Sequence, residues 1–412
     1  INGVANNNVG IGKYALRDAL TTGDDNIAIG ESSGRNISTA SELIVIGKEA
    51  GYTLSTQSDN IAIGPYAMKL ATGGWNIAIG NSALEDATGN TNMGIGFHAG
   101  QQISSGTSNL AIGYQALDGA LSADHNIAIG MEALGASVTT GKNLALGNYA
   151  LETLTSGGDN VAIGYEAGEL LSTGNANVFI GTKAADVVTA GSNSVVIGAA
   201  AGGAGDFGNN NTIVGHSSAI VMTGAGNIGS GYNSFPALTS GDYNIGIGYQ
   251  GGATLSTGDK NIIIGYASRV HTNSNSNNVI IGGAYPAASG DDQLSISSGD
   301  GSPVWITGDS AGGIYSKAGV VAVSGNTTLT QAQSGSYVYW TAGSCTLPAD
   351  AAVGTQFTIF NNTGSSATVA LGSGDAMAGS WASNAAVADN DATAYVCVNI
   401  SSSESQWVQV GA

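Results

Sequence analysis

The chain has 412 residues, 65 of them glycine, and its 10 basic and 29 acidic side chains leave a net charge of −19. Such a surface repels phosphate backbones and anionic lipid, which argues against nucleic acid and membrane partners, and no apolar run approaches the ~20 residues of a membrane helix. A hydrophobic content of 42% argues against disorder despite the glycine.

From the first residues the chain is periodic. "NIAIG" stands at 26–30, 76–80 and 126–130, with near-copies between, and aligning the closing glycine gives seventeen copies from Gly12 to Gly282 at steps of 16, 17 or 18 residues. A short fixed period predicts a solenoid with one coil per copy. Ile1 opens the sequence in mid-pattern, so the chain is expected to be a piece of a longer protein.

Within each copy the residues one and three before the glycine are aliphatic, as in Ile27 and Ile29 or Leu110 and Ile112, with Thr212 and Ser230 as exceptions. Two apart on a strand means one shared face, expected here to be the core. The residue between them is Ala or Gly in eleven copies, and its small size suggests a second buried surface where another backbone comes close. Asn occupies the position four before the glycine in fifteen copies (Asn26, Asn60, Asn76, Asn109, Asn126, Asn143, Asn160, Asn177 and others), with Leu43 and Ser194 as exceptions. Stacking would set these amides ~4.8 Å apart in a ladder. The invariant glycine marks a corner needing positive φ or no Cβ. A second short strand is expected after it, around the small residue three positions on, followed by a loop of Thr, Ser, Gly, Asp and Asn.

After Tyr285 the phase is lost. Residues 286–319 carry two alternating fragments, Leu294/Ile296 and Val304/Ile306, expected to cap the solenoid's open edge. From 320 to 412, segments such as "YVYW", "TQFTIFN" and "AYVCVNI" predict a compact β-sandwich-like domain. The fold expectation is therefore all-β: a parallel β-roll shaft over 1–285, a neck, and a C-terminal β domain.

No chemistry emerges from the motifs. The four histidines, His98, His125, His216 and His271, fall at unrelated repeat phases, the wrong arrangement for a metal. The glycine-rich turns lack the Lys and helix of a phosphate loop. The expectation is no enzyme, no cofactor and no metal. Cys345 and Cys397 lie in alternating apolar stretches and are expected as strand residues. Trp381, flanked by Ser380 and followed by Asn384 in a loop-like segment, is the best candidate for an exposed sugar-stacking platform.

The Asn-x-Ala-Ile-Gly coil resembles the head repeat of trimeric autotransporter adhesins, and the longer "TTG..NIAIGxxAL" form is similar to the repeat shafts of bacteriophage tail fibres. The resemblance covers residues 1–285, and the C-terminal part is similar to distal modules of such fibres. It implies a left-handed β-roll in a homotrimer, with the small central residues (Ala28, Ala62, Ala78, Ala111, Ala128, Ala145, Ala162) facing the threefold axis. It also implies a virion location, attachment to other tail or baseplate proteins through an N-terminal part, and a tip that binds a host cell-surface glycan or outer-membrane receptor. A bacterial surface adhesin or secreted filament is the alternative.

Overall fold

The computed structural model describes residues 6–18, 22–119, 122–270, 272–283 and 291–298 of the repeat region. Beyond these it describes the segments 304–308, 314–316, 321–323, 327–329, 337–340, 345–347, 356–361, 367–369, 376–377, 385–387, 391–401 and 404–410. The chain divides into two units, Ile1–Ser302 and Pro303–Ala412.

The first unit is a β-solenoid. Every repeat contributes one strand of three residues, from β1 (Val9–Ile11) to β17 (Val279–Ile281). Each pairs in parallel with the strand of the next coil and in strict repeat register, so that Leu110, Ala111 and Ile112 of β7 face Ile127, Ala128 and Ile129 of β8. An eighteenth strand, β18 (Leu294–Ser297), pairs in parallel with β17. Leu294 and Ile296, expected in the neck, thus extend the solenoid by a rung. No helix occurs among the described residues.

Among the described residues the second strand expected after each glycine is absent; a tight turn takes its place. Non-glycine residues at positive φ recur at three places in a coil, two and four residues after the glycine and five before the next, as in Gln115 (51°), Leu117 (51°) and His125 (60°). The left-handed region is unfavourable for residues with a Cβ, and inter-coil hydrogen bonds offset it. Gln115 N–H donates to Phe97 O (2.9 Å) and His125 N–H to Thr107 O (3.0 Å) in the preceding coil, while Leu117 N–H reaches forward to Ala133 O (2.9 Å). The corner glycine answers both expectations at once. Gly164 has φ of 136°, and a Cβ there would stand 2.5 Å from the carbonyl oxygen of Gly181 in the next coil.

The pleat is inverted relative to the sequence reading. From β2 onward the central residue of each strand points into the coil and is sealed: Ala28, Ala62, Ala78, Ala111, Ala128, Ala145 and Ala162 are all 0% exposed within the single chain. The flanking aliphatics point outward, half-buried or exposed. A coil of three-residue strands and tight turns encloses a narrow interior. Only one inward side chain per strand fits opposite the Ala and Leu or Gly of the turn.

That interior is packed by reciprocal size. Where the strand carries Phe179, the turn before it carries Gly168, and a Cβ on Gly168 would meet the Phe179 ring at 2.7 Å. Where the turn carries Phe235, the neighbouring strands carry Gly229 and Gly246, and a Cβ on Gly246 would lie 2.5 Å from that ring. Leu54, Ile103, Leu154 and Leu171 fill the far side of the coils, each 0% exposed. Close packing of this kind explains why the central position varies from Gly to Phe without breaking the repeat.

Among the described residues of the second unit, the strands Val321–Val323, Tyr337–Trp340, Gln356–Asn361, Asp391–Ser401, Glu404–Val410 and Ala376–Met377 form one mixed six-stranded sheet in that order. Its central pairings are antiparallel, with a register shift between Cys397 and Asn399. Phe357 and Ile359 are buried. Cys345 and Cys397 lie on strands, as their alternating surroundings predict.

Candidate functional site

Two columns that run the length of the solenoid organise its chemistry. The first is the asparagine ladder. Asn143 is representative: its backbone N–H and its Nδ2 donate to Asn126 Oδ1 (3.0 and 3.1 Å), and its Nδ2 also donates to Gly157 O of the next coil (3.0 Å). Its own Oδ1 accepts from Asn160 N–H and Nδ2, both at 3.1 Å. A buried amide offers two donor hydrogens and two acceptor lone pairs, and here all are used.

Similar bonds join Asn109 to Asn126 and Asn160 to Asn177. The ladder tolerates Ser194, whose N–H donates to Asn177 Oδ1 and whose Oγ accepts from Asn211 N–H (3.1 Å). At Leu43 it breaks. Leu43 N–H still donates to Asn26 Oδ1, but Asn60 Nδ2 turns to Gln57 O and Ser58 O in its own coil. From Asn60 the column resumes through Asn76. These amides clamp coil to coil from inside, where they are 0–2% exposed and beyond the reach of any partner.

The second column is the outward face of the sheet. Its two rows hold 34 residues, all aliphatic or Met except Thr212 and Ser230, and none carries a charge. Ile11 (57%), Ile79 (39%), Leu146 (40%) and Ile247 (38%) are exposed, and most of the others are half-buried. With ~4.8 Å per rung and ~7 Å between the rows, the stripe is about 80 Å long and covers roughly 800 Å² once side-chain width is included. Apolar patches on monomeric proteins rarely exceed a few hundred Å². The residues assigned by the sequence reading to a threefold axis are thus interior, and the residues assigned to the core form the accessible apolar surface.

Charge sits on other faces. Burial pushes the carboxyls of Asp118, Glu152 and Asp186 above their ordinary range, and Glu132 and Glu169 add to the rise at Glu152. Asp118, Glu132 and Glu152 line an open cavity of about 350 Å³ with Gln115 and Thr153. Among the described residues no three His, Cys, Asp or Glu side chains converge as an ion-binding group. Lys69–Glu49 and Lys183–Glu166 are ion pairs of 2.8 Å with partly exposed side chains, an arrangement that contributes little to stability.

Trp381, Ser380 and Asn384 lie outside the described residues. The sequence reading missed the position directly after the corner glycine, which carries Phe97, Tyr114, Tyr165, Tyr232, Tyr249 and Tyr266, all exposed. Its signal was available, since these rings share one repeat phase. Compared with known proteins, the chain matches no family model, no curated protein and no solved structure.

Proposed function

We propose that this chain is a fibre protein of a bacteriophage tail: a stiff, self-associating shaft carrying a receptor-binding C-terminal unit, assembled as a homotrimer. The observation that carries the reading is the uncharged aliphatic stripe on the outside of an otherwise complete coil. The solenoid satisfies its own backbone and fills its own interior, so the stripe is not needed to fold a coil. Its area matches the ~800 Å² per partner of a standard interface. Its repetition lets identical copies pack rung on rung, and cyclic association of parallel copies would bury the stripe along its length. In this reading the axis is lined by the flanking aliphatics rather than by Ala28 and its equivalents.

The resemblance of the repeat to tail-fibre shafts supports a virion location, with other tail or baseplate proteins at the N-terminal side and a host glycan or outer-membrane receptor at the C-terminal unit. Three tips at one end would gain avidity without any single strong contact. Gold-labelled antibody against the chain tests the placement. Label on the tail fibres of phage particles supports it, whereas label on filaments of intact bacterial cells and none on particles would reassign the protein to a cell-surface filament.

A further inference from the structure

We infer that the shaft itself carries a second recognition surface, a strip over coils 13 to 16 that binds an extended neutral polysaccharide. His216, Tyr232, Tyr249 and Tyr266 each follow the corner glycine of successive coils. Their rings form one stack, with centroids 5.5, 5.3 and 5.1 Å apart and planes within 10° of parallel. Tyr232, Tyr249 and Tyr266 remain 51%, 43% and 65% exposed. Those separations fit an offset stack, in which each ring leaves part of its face toward solvent. The interior of the solenoid makes no use of these rings.

The column beside the rings decides the ligand's chemistry. The next residue is Ser217, Asn233 and Gln250 in coils 13 to 15 and Ala267 in coil 16, so three of the four rings are accompanied by a hydroxyl or an amide and none by a charge. The same column carries a charge at Glu49, Glu132, Glu166 and Lys183 and neutral groups such as Ser82 and Gln115 at other rungs. Partly exposed aromatic rings at four successive rungs, three of them beside a neutral hydrogen-bonding group, suit the alternating C–H faces and hydroxyls of sugar rings. A repeated strip suits a polymer rather than a single sugar, because each added unit meets an equivalent rung. The chain's charge of −19 disfavours a polyanion. This surface stands on one chain and does not depend on the trimer.

The test is affinity electrophoresis of the full chain in native gels containing hydroxyethylcellulose, galactomannan or dextran, with alginate as the anionic comparison. At least one neutral polymer should retard the protein, and alginate should not. Tyr232→Ala/Tyr249→Ala should weaken that retardation about tenfold at unchanged native mass, while Tyr165→Ala, in the same column beside Glu166, should leave it as in the wild type. The inference is overturned if no neutral polymer retards the protein, if alginate retards it equally, or if the double variant migrates as wild type. It is also overturned if lost retardation comes with a changed native mass, since the ladder would then belong to a contact between copies.

Discussion

Replacing Asn143 probes how the coils are held together. Asn143→Ala removes the Nδ2 bonds to Asn126 Oδ1, Gly157 O and Thr140 O and the Oδ1 that accepts from Asn160. Not every partner is orphaned. Asn126 Oδ1 keeps the backbone N–H of residue 143, Gly157 O keeps Thr140 Oγ1 (2.6 Å), and Asn160 Nδ2 keeps Gly174 O. What remains is one buried backbone N–H at Asn160 with no acceptor, plus the loss of shared bonds around it. An unsatisfied buried group costs about 1–3 kcal/mol and each lost bond about 1, so the substitution should destabilise by about 2–4 kcal/mol per chain. Asn143→Ser should recover part of this, because Ser194 already accepts from the next coil at 3.1 Å. Asn143→Asp should be worst, since it sets a carboxylate oxygen against Gly157 O and Asn126 Oδ1. Guanidinium unfolding followed by circular dichroism gives the order, and hydrogen exchange at the Asn160 amide reads the local defect directly. Alanine as stable as wild type with that amide still protected, or serine worse than alanine, would refute the ladder's role.

Three further outcomes follow from the same geometry. Gly164→Ala should destabilise the solenoid strongly, because its φ of 136° and the Gly181 carbonyl both exclude a Cβ; an unchanged melting temperature would contradict this. Gly246→Ile should prevent folding and Phe235→Ala should cost about 3–5 kcal/mol, yet the pair together should regain stability, as at Phe179 over Gly168; a double variant less stable than both singles would show that the interior does not pack by reciprocal size. Stability should rise as the pH falls from neutral toward the ordinary carboxylate range. Asp118, Glu152 and Asp186 hold their protons more tightly when folded, so they favour the fold as pH falls through their raised values, the gain levelling off below the ordinary 3.8 and 4.5. Asp18, held low by Arg35 and Arg17, and Glu166, held low by Lys183, lose their stabilising effect only below that window. Melting curves of wild type and Glu152→Gln check this, and a wild-type melting temperature that falls on acidification would contradict it.

The repeat was legible because its constraints are local. Asn at one phase reports a buried amide ladder, and a glycine that never varies reports a corner where coils touch through backbone. Orientation was not legible. Alternation states that Ile27 and Ile29 share a face and Ala28 the other, but not which face is inside. Size misled, because large aliphatics were assigned to a core too narrow to hold them. The turn was misread for a related reason: Leu117 and Gln115 carry no mark of the left-handed region, which tertiary hydrogen bonds impose on them. The eighteenth rung at Leu294–Ser297 was hidden because the loop before it is shorter than a repeat and its inward residue is Ser295.

The central claim is that the aliphatic stripe joins copies of the chain. Multi-angle light scattering of the full chain measures this most directly, with Ile112→Lys and Ile129→Lys introduced together into adjacent rungs of the stripe. The wild type should have three times the 40.6 kDa chain mass, and the double variant, which would bury charges against an apolar face, should lose the trimer while keeping its β circular dichroism. A monodisperse wild-type monomer, or a variant that remains fully trimeric, would contradict the account.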